Sequence, residues 1–467
     1  MVPERLTWLL DPAGDPVDLA GLFSVAGHEL YVVGGSVRDL LLGGHPTDLD
    51  FTTDATPAQV KLILQGWADE VHTVGETFGT IGATRRGHAY EITTFREEVY
   101  RDDSRKPHVT FSHDIGTDLS RRDFTINAMA LRLPSPELVD PHGGLKDLAA
   151  RLLRTPLTPE VSFGDDPLRM LRLFRFVATL GFSSEARALA AVGSMGDRLR
   201  IVSAERVQAE LSKLLLGEQV EEALGEMVES GLGDFVIPEL SALKMEQDPI
   251  HRHKDVLAHT LAVVAKTHPK LELRLAALFH DIGKPATRDV GPEGVSFHHH
   301  EVVGARTTKT RLKELRYPSQ VVEDVSRLVY LHLRPHTFGM GWTDSAVRRY
   351  VRDTGPLLDD LNHLVRCDVT TANPQREREI QARLDDLEAR IEVLRQREEL
   401  ASLRPPIDGH AVMSYLDIAP GPRVGEVIEL LTEHRIEHGP YPEVDAYRIV
   451  RAWALERGMA DPGEPPA

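Results

Sequence analysis

The 467-residue chain is 41% hydrophobic and 27% charged, with a formal net charge of −18 at pH 7 and one cysteine, Cys367. It is long enough for roughly two to four cored domains. Its acidity argues against indiscriminate nucleic-acid binding, while leaving room for a local basic surface that takes RNA. The lone cysteine excludes an internal disulfide framework. Met1 to Gly14 lacks a signal-peptide pattern and no apolar run is long enough to cross a bilayer, so a soluble cytoplasmic protein without membrane contact is expected.

The first informative stretch is Tyr31 to Thr53, YVVGGSVRDLLLGGHPTDLDFTT. Glu29 to Val33 is apolar and reads as a strand, broken by Gly34-Gly35-Ser36. Val37 to Leu42 reads as a helix ended by Gly43-Gly44, and Asp48 to Thr53 as a second strand. Alternate residues of a strand share a face, so Asp48 and Asp50 point together, away from Leu49 and Phe51. Two such carboxylates repel unless a cation lies between them, and Mg²⁺ with oxygen ligands suits that gap. The glycine turn opens a helix whose free N–H groups attract phosphate, and Arg38 adds a fixed positive charge. A metal-bound triphosphate fits this pattern; so, for the motif alone, does a solvent-facing loop.

Further along, Gly79 to Thr84 and Ala89 to Phe95 read as strands, and the polar stretch Arg96 to Pro107 as a mobile loop. Arg121-Arg122-Asp123-Phe124-Thr125 either clamps phosphate or ribose, or forms a salt-bridged helix end. From about residue 160 the pattern is helical, with runs at Pro167 to Leu180 and Ala204 to Leu216. Asp166 before Pro167 has the form of an N-cap. Arg169, Arg172 and Arg175 recur along one side of the helix that follows, with Leu168, Leu171 and Phe174 facing a core. A carboxylate and an arginine can together accept from an amino group and donate to a ring nitrogen or carbonyl, an edge that cytosine and adenine share. Asp166 and Arg169 therefore suit untemplated selection of C and A. RNA is expected near the cluster Arg121, Arg122, Arg151, Arg154, Arg169, Arg172 and Arg175.

Taken in order, Gly34 to Asp39, Asp48-Leu49-Asp50, Arg121 to Thr125, Asp165 to Arg169 and Ser203-Ala204-Glu205-Arg206 resemble the class II tRNA nucleotidyltransferases, the CCA-adding enzymes and their bacterial poly(A) polymerase relatives. The resemblance covers residues 28 to 216 strongly. One departure is Asp165, where the family often has Glu. The resemblance implies an α+β fold: a polymerase-β-like head with a mixed sheet, then an all-helical neck, HD domain and tail. It implies Mg²⁺ on Asp48 and Asp50, the catalytic pair, and triphosphate on Gly35 and Arg38. Arg122 would contact the nucleotide, Asp166 and Arg169 would read the base, and Arg172 and Arg175 would assist. The implied reaction is template-independent addition of CCA to the tRNA acceptor end from CTP and ATP. It would proceed by two-metal phosphoryl transfer that releases pyrophosphate. CC-adding, A-adding and poly(A)-adding relatives are the alternatives. In the family a flexible loop between the two-carboxylate strand and the double-arginine motif supports the final A step, and Arg96 to Pro107 stands in that place.

A histidine-rich stretch runs from about His251 to Asp368. His280-Asp281-Ile282-Gly283-Lys284 resembles the core of an HD domain, a helical metal-dependent phosphohydrolase family. His259, His280, Asp281, His300, His332 and Asp368 are its expected ligands, for a transition metal such as Mn, Fe or Ni. The opposing reading keeps them as scattered polar residues of a retained scaffold; a further alternative makes HD phosphohydrolase or phosphodiesterase chemistry the main activity. The expected domains are a head at 1–155, a neck at 156–245, an HD domain at 246–375 and a helical tail at 376–467. Arg376 to Leu400 reads as an exposed or propping charged helix and residues 461–467 as a disordered end. No protein partner is implied.

Overall fold

Leu30, Tyr31, Val32 and Val33 are all buried, and this β-branched and aromatic run forms β1 (Leu30–Val33), a central strand of the first unit's sheet. The computed structural model describes residues 3–44, 46, 48–99, 108–245, 255–291, 294–338, 341–369, 374–398 and 403–466. The chain divides into two units. One is Met1–Met245 with Pro269–Leu271 and Arg311–Tyr317; the other is Glu246–His268, Glu272–Thr310 and Pro318–Ala467.

In the first unit β2 (Leu49–Thr53), β3 (Glu70–His72), β4 (Thr80–Arg85), β5 (His88–Thr94), β8 (Ala130–Leu133) and β9 (Glu137–Val139) join β1 in the order β3-β4-β5-β2-β1-β8-β9. The β2–β5 pair is parallel and the others are antiparallel, so the sheet is mixed as expected. Between β5 and β8, β6 (Arg96–Val99) pairs antiparallel with β7 (His108–Phe111). The start of the expected loop is thus a strand; residues 100–107, the rest of it, lie outside the described residues.

The helix after the glycine turn runs Gly35–Leu42, two residues longer at its start than expected, and ends at Gly43 with φ +89°. Helix Leu168–Leu180 buries Leu171, Leu173, Phe174 and Val177 completely, each contributing roughly 1.5–3 kcal/mol of transfer free energy.

Among the described residues the second unit's paired strands are one hairpin, Asp289–Gly291 with Gly294–Ser296, and the first unit also carries a short parallel pair, Leu152–Leu153 with Ser183–Ser184. The charged helix Pro374–Glu398 is more than a prop. Leu384, Leu387, Ile391 and Leu394 recur every three or four residues and are buried, while Arg366 pairs with Asp385 and Glu388 on its flank. The chain end also departs from expectation. Arg451 pairs with Asp461 and Glu464, and Tyr415 donates its hydroxyl to the Gly463 carbonyl. These contacts place residues 461–464 against helices Gly409–Leu416 and Glu443–Glu456; a polar composition did not foretell specific partners.

Candidate active site and metal centre

The glycine turn is shaped by what lies against it. Gly34 has φ +72°, and a Cβ there would sit 2.8 Å from Nη1 of Arg122 and 3.9 Å from Oδ2 of Asp50. The bare glycine lets the Arg122 guanidinium lie over the two-carboxylate strand. Ser36, two residues on, has no role in the sequence reading. Its hydroxyl donates to the Asp48 carbonyl and accepts from the Asp50 N–H, both at 3.2 Å, and so ties the helix start to the carboxylate strand. Arg38 places Nε and Nη2 on Asp39 at 2.8 and 2.9 Å and Nη1 on Oδ1 of Asn127 at 2.7 Å.

Asp48 precedes β2 by one residue; it and Asp50 are exposed while Leu49 and Phe51 are buried, the expected alternation. A third acid joins them. Parallel pairing sets Glu91 of β5 opposite Asp50 of β2. Although the residue keeps exposed surface, desolvation of its carboxyl at the cavity wall lifts Asp50 above its ordinary range; Arg122 draws it down, and the Glu91 and Asp48 charges push it up again. Clustered oxygens short of positive charge suit a hard divalent cation. The signal for Glu91 was its alternation with buried Tyr90 and Ile92, but only the non-local strand pairing shows which acid it faces.

Arg121 and Arg122 form the salt-bridged helix end of one of their sequence readings. Both pair with Asp118, which has no exposed surface and whose carboxyl, despite that burial, lies below the usual range because of the two guanidinium groups. Both also line a cavity of about 810 Å³. Eight arginines and four carboxylates border it among the described residues, including Arg38, Asp50, Glu91, Asp166, Arg169 and Arg206. Asp48, exposed, is outside that lining, as are Arg151 and Arg154; Arg154 instead pairs with Asp147.

Helix Leu168–Leu180 begins one residue later than the capping pattern implies, yet Oδ1 of Asp166 still takes the Leu168 N–H at 3.1 Å. Arg169 is 6% exposed and gives Nη1 to the hydroxyl and carbonyl of Ser162 and Nη2 to the Arg121 carbonyl. Arg172 reaches Asp123 at 2.8 Å and Arg175 reaches Glu210 at 3.1 Å. Arg206, from the Ser203–Arg206 motif, pairs with Asp166.

In the second unit all six expected HD residues converge. His259, His280 and Asp368 form one group and Asp281, His300 and His332 another, the candidate ligand atoms of each group lying within 4.8 Å of one another. His280 and His332 stand at or just beyond helix C-termini, as does Asp368, where the helix dipole favours positive charge. One geometry recurs three times: Nδ1 of His280, His300 and His332 lies 2.8, 2.8 and 2.6 Å from the carbonyl three residues back. Donation there leaves Nε2 of His300 and His332 to accept, the state of a metal-binding imidazole, while Nε2 of His280 lies 3.3 and 3.4 Å from Asp281 and Asp368. Nε2 of His332 is buried with no hydrogen-bond partner among the described residues and that of His300 is buried 3.4 Å from an Asp281 oxygen, so the donor set fits a cation. Burial alone would lower His280, but Asp281 and Asp368 carry it up to about 10; burial and then the His280 charge push His332 down to about 3. A cation would replace the His280 proton.

Gly283 packs so closely that a Cβ would lie 2.2 Å from the His300 carbonyl. Lys284, three residues along the same motif, pairs with Asp281 (2.6 Å), and His336, which only the fold brings to the centre, with Asp368 (3.2 Å); neither had a role in the sequence reading. His298 and His299 of the histidine triplet stay exposed, and His251, where the rich stretch begins, lies outside the described residues.

Known proteins match in the same order. Residues 30–154 match the Poly A polymerase head domain, 181–244 the probable RNA and SrmB-binding site of polymerase A, and 256–391 the HD domain. The A-adding tRNA nucleotidyltransferase of Deinococcus radiodurans is 34% identical over 439 residues, 91% of this chain and 95% of that protein. The CCA-adding enzyme of Anoxybacillus flavithermus is 40% identical over 221 residues, 47% of this chain and 54% of its own. The crystal structure of the Bacillus stearothermophilus CCA-adding enzyme in complex with CTP aligns over 98% of both chains, with a TM-score of 0.63 at 25% identity. No helix among the described residues is long and apolar enough to cross a membrane. With a likeness that runs nearly end to end and three domain matches in sequence, the chain belongs to the tRNA nucleotidyltransferase/poly(A) polymerase family and carries an HD domain.

Proposed function

We propose that this chain adds CCA to the 3′ end of tRNA from CTP and ATP without a template. The observation that carries the reading is a single cavity bordered at one place by Asp50 and Glu91 and at another by Asp166 and Arg169. Such a space takes a nucleotide with its phosphates at the acids and its base at the Asp166–Arg169 edge. Asp48, Asp50 and Glu91 would hold Mg²⁺, which supplies charge neutralisation for phosphoryl transfer. Gly35 and Arg38 bind the triphosphate and Arg122 contacts the nucleotide. Asp166 accepts from the exocyclic amino group of C or A, and Arg169 donates to the neighbouring ring atom. Arg172 and Arg175 hold that helix face.

We assign the head to 1–155, the neck to 156–245, the HD domain to 246–375 and the tail to 376–467, and place the protein in the cytoplasm, which suits a free cysteine. His259, His280, Asp281, His300, His332 and Asp368 would bind a transition metal such as Mn, Fe or Ni. A second reading is favoured by one observation: the relative matched over 95% of its length is A-adding. Supplying a tRNA that lacks CCA with each nucleotide in turn and sequencing the products separates the two. C incorporation supports CCA addition, while A alone, and only on ends already carrying CC, supports the second.

A further inference from the structure

Arg38 and helix Leu168–Leu180 are joined by a run of side chains, two hydrogen bonds followed by an ion pair. Arg38 gives Nη1 to Oδ1 of Asn127 at 2.7 Å, and Asn127 gives Nδ2 to Oδ1 of Asp123 at 2.9 Å. The other Asp123 oxygen lies 2.8 Å from Nη2 of Arg172, one turn beyond Arg169. Asn127 and Asp123 are each 6% exposed, so neither finds a substitute partner in water. Arg38 can only donate and a carboxylate can only accept, which dictates the orientation of the amide between them. A second tie runs alongside. The Phe176 ring, on the same helix, has the Arg38 guanidinium 5.2 Å from its centre and that of Arg175 at 3.9 Å.

This has a consequence for selectivity. With Asp39 and Asn127 satisfied, Arg38 keeps two N–H groups for phosphate. A phosphate that draws on Arg38 also pulls on Asn127, and through Asp123 on the helix that carries Arg169. We propose that Asn127 is a positioning residue that couples triphosphate binding at Arg38 to base choice by Asp166 and Arg169. The proposal rests on the nucleotide-site reading given above. Asn127 touches neither phosphate nor base; it fixes the distance between the groups that do.

Asn127→Asp isolates the link. It keeps an oxygen for Arg38, but removes the N–H that Asp123 receives and sets a second negative charge beside it. Incorporation of CTP and UTP onto a tRNA lacking CCA, with KM and kcat resolved, reads the effect. The preference for CTP over UTP is expected to fall at least about tenfold, mainly through KM for CTP. Arg172→Gln opens the run at its other end, on a side chain 32% exposed, and is expected to give the same loss; the double variant adds little more. If Asn127→Asp does not fold, Arg172→Gln alone decides. A C-over-U preference within about twofold of the parent in the folded variants overturns the proposal, as do losses that multiply in the double variant. Arg38→Ala provides the control. If it leaves the ratio of CTP to CMP affinity unchanged, the nucleotide-site reading falls and the coupling with it. If that ratio drops while Asn127→Asp keeps its selectivity, the coupling alone falls.

Discussion

Arg206 donates to Oδ2 of Asp166 at 2.7 Å while Oδ1 of the same carboxylate accepts the Leu168 N–H. Both oxygens thus have partners before a nucleotide enters, and a base must share or replace the Arg206 donor. A donor is what the amino groups of C and A offer, whereas the carbonyls of U and G would face the carboxylate with nothing to give. Arg206 is 49% exposed at its side chain, so its release to water costs little. Asp166→Asn keeps an oxygen for the Leu168 cap and turns an N–H₂ toward the base. We expect kcat/KM for CTP and ATP to fall about tenfold to a hundredfold and UTP and GTP to gain relative to them, read by incorporation from each nucleotide singly. An unchanged order of preference would remove Asp166 from base selection.

The acids across the cavity give a pH-linked prediction. Asp48→Ala or Asp50→Ala should abolish nucleotide addition with the fold intact, since each removes a ligand from the same cluster. The raised Asp50 carboxyl sets the sign of a second effect. Its folded state holds a proton more tightly than the unfolded chain, so in magnesium-free buffer stability declines as pH rises from the ordinary carboxylate range through the raised value. Asp50→Asn removes that penalty. Its Tm at pH 7 without magnesium should exceed that of the parent, and the stabilisation that magnesium gives the parent should shrink. A lower Tm under both conditions would contradict an acid cluster awaiting a cation.

What was legible in the sequence was local. Alternation over Asp48 to Phe51 and the three-residue recurrence of arginines after Asp166 are set by backbone period, and both are present in the fold. The residues missed act through pairing across sequence distance. Glu91 depends on β2 and β5 lying parallel, Arg206 on its approach to Asp166, and His336 on its closeness to Asp368. Polar composition misled in two places. It gave no sign of the buried stripe on Pro374–Glu398 or of the partners that fix residues 461–464.

For the histidine centre, ligand loss and geometric loss should look alike. His280→Ala or Asp281→Ala should remove bound transition metal and leave nucleotide addition in place, because the transferase residues belong to the other unit. Gly283→Ala changes no ligand, yet its Cβ would meet the His300 carbonyl and force that helix start to move. Elemental analysis of the purified variants should show metal reduced in all three. Full metal content in His280→Ala and Asp281→Ala would leave these residues as structure only. Full content in Gly283→Ala alone would show that the close Gly283–His300 packing is not needed for binding.

Addition of the final A is expected to depend on the segment between β6 and β7. On the proposed reading one Asp166–Arg169 edge accepts both C and A, so the change from C to A must come from motion or from the growing RNA end. The paired register Arg96↔Phe111 to Val99↔His108 forms a stem flanking residues 100–107, and Arg96, which donates to the Phe78 carbonyl, lines with Phe78 the cavity that Asp50 and Asp166 border. A stem anchored there ties the strands that flank the segment to the cavity wall. Within that segment Arg101, Asp102, Asp103, Arg105 and Lys106 supply charge of both signs and little apolar surface to pack. Replacing residues 100–107 with a short glycine turn keeps the stem and removes the charges. C addition to a tRNA lacking CCA should stay within about threefold of the parent, because the Asp166–Arg169 edge is untouched, while A addition to a tRNA ending in CC should fall at least about tenfold. The decisive measurement is the single-turnover rate on that CC-ended tRNA; an unchanged rate would leave the stem and its segment with no part in the switch.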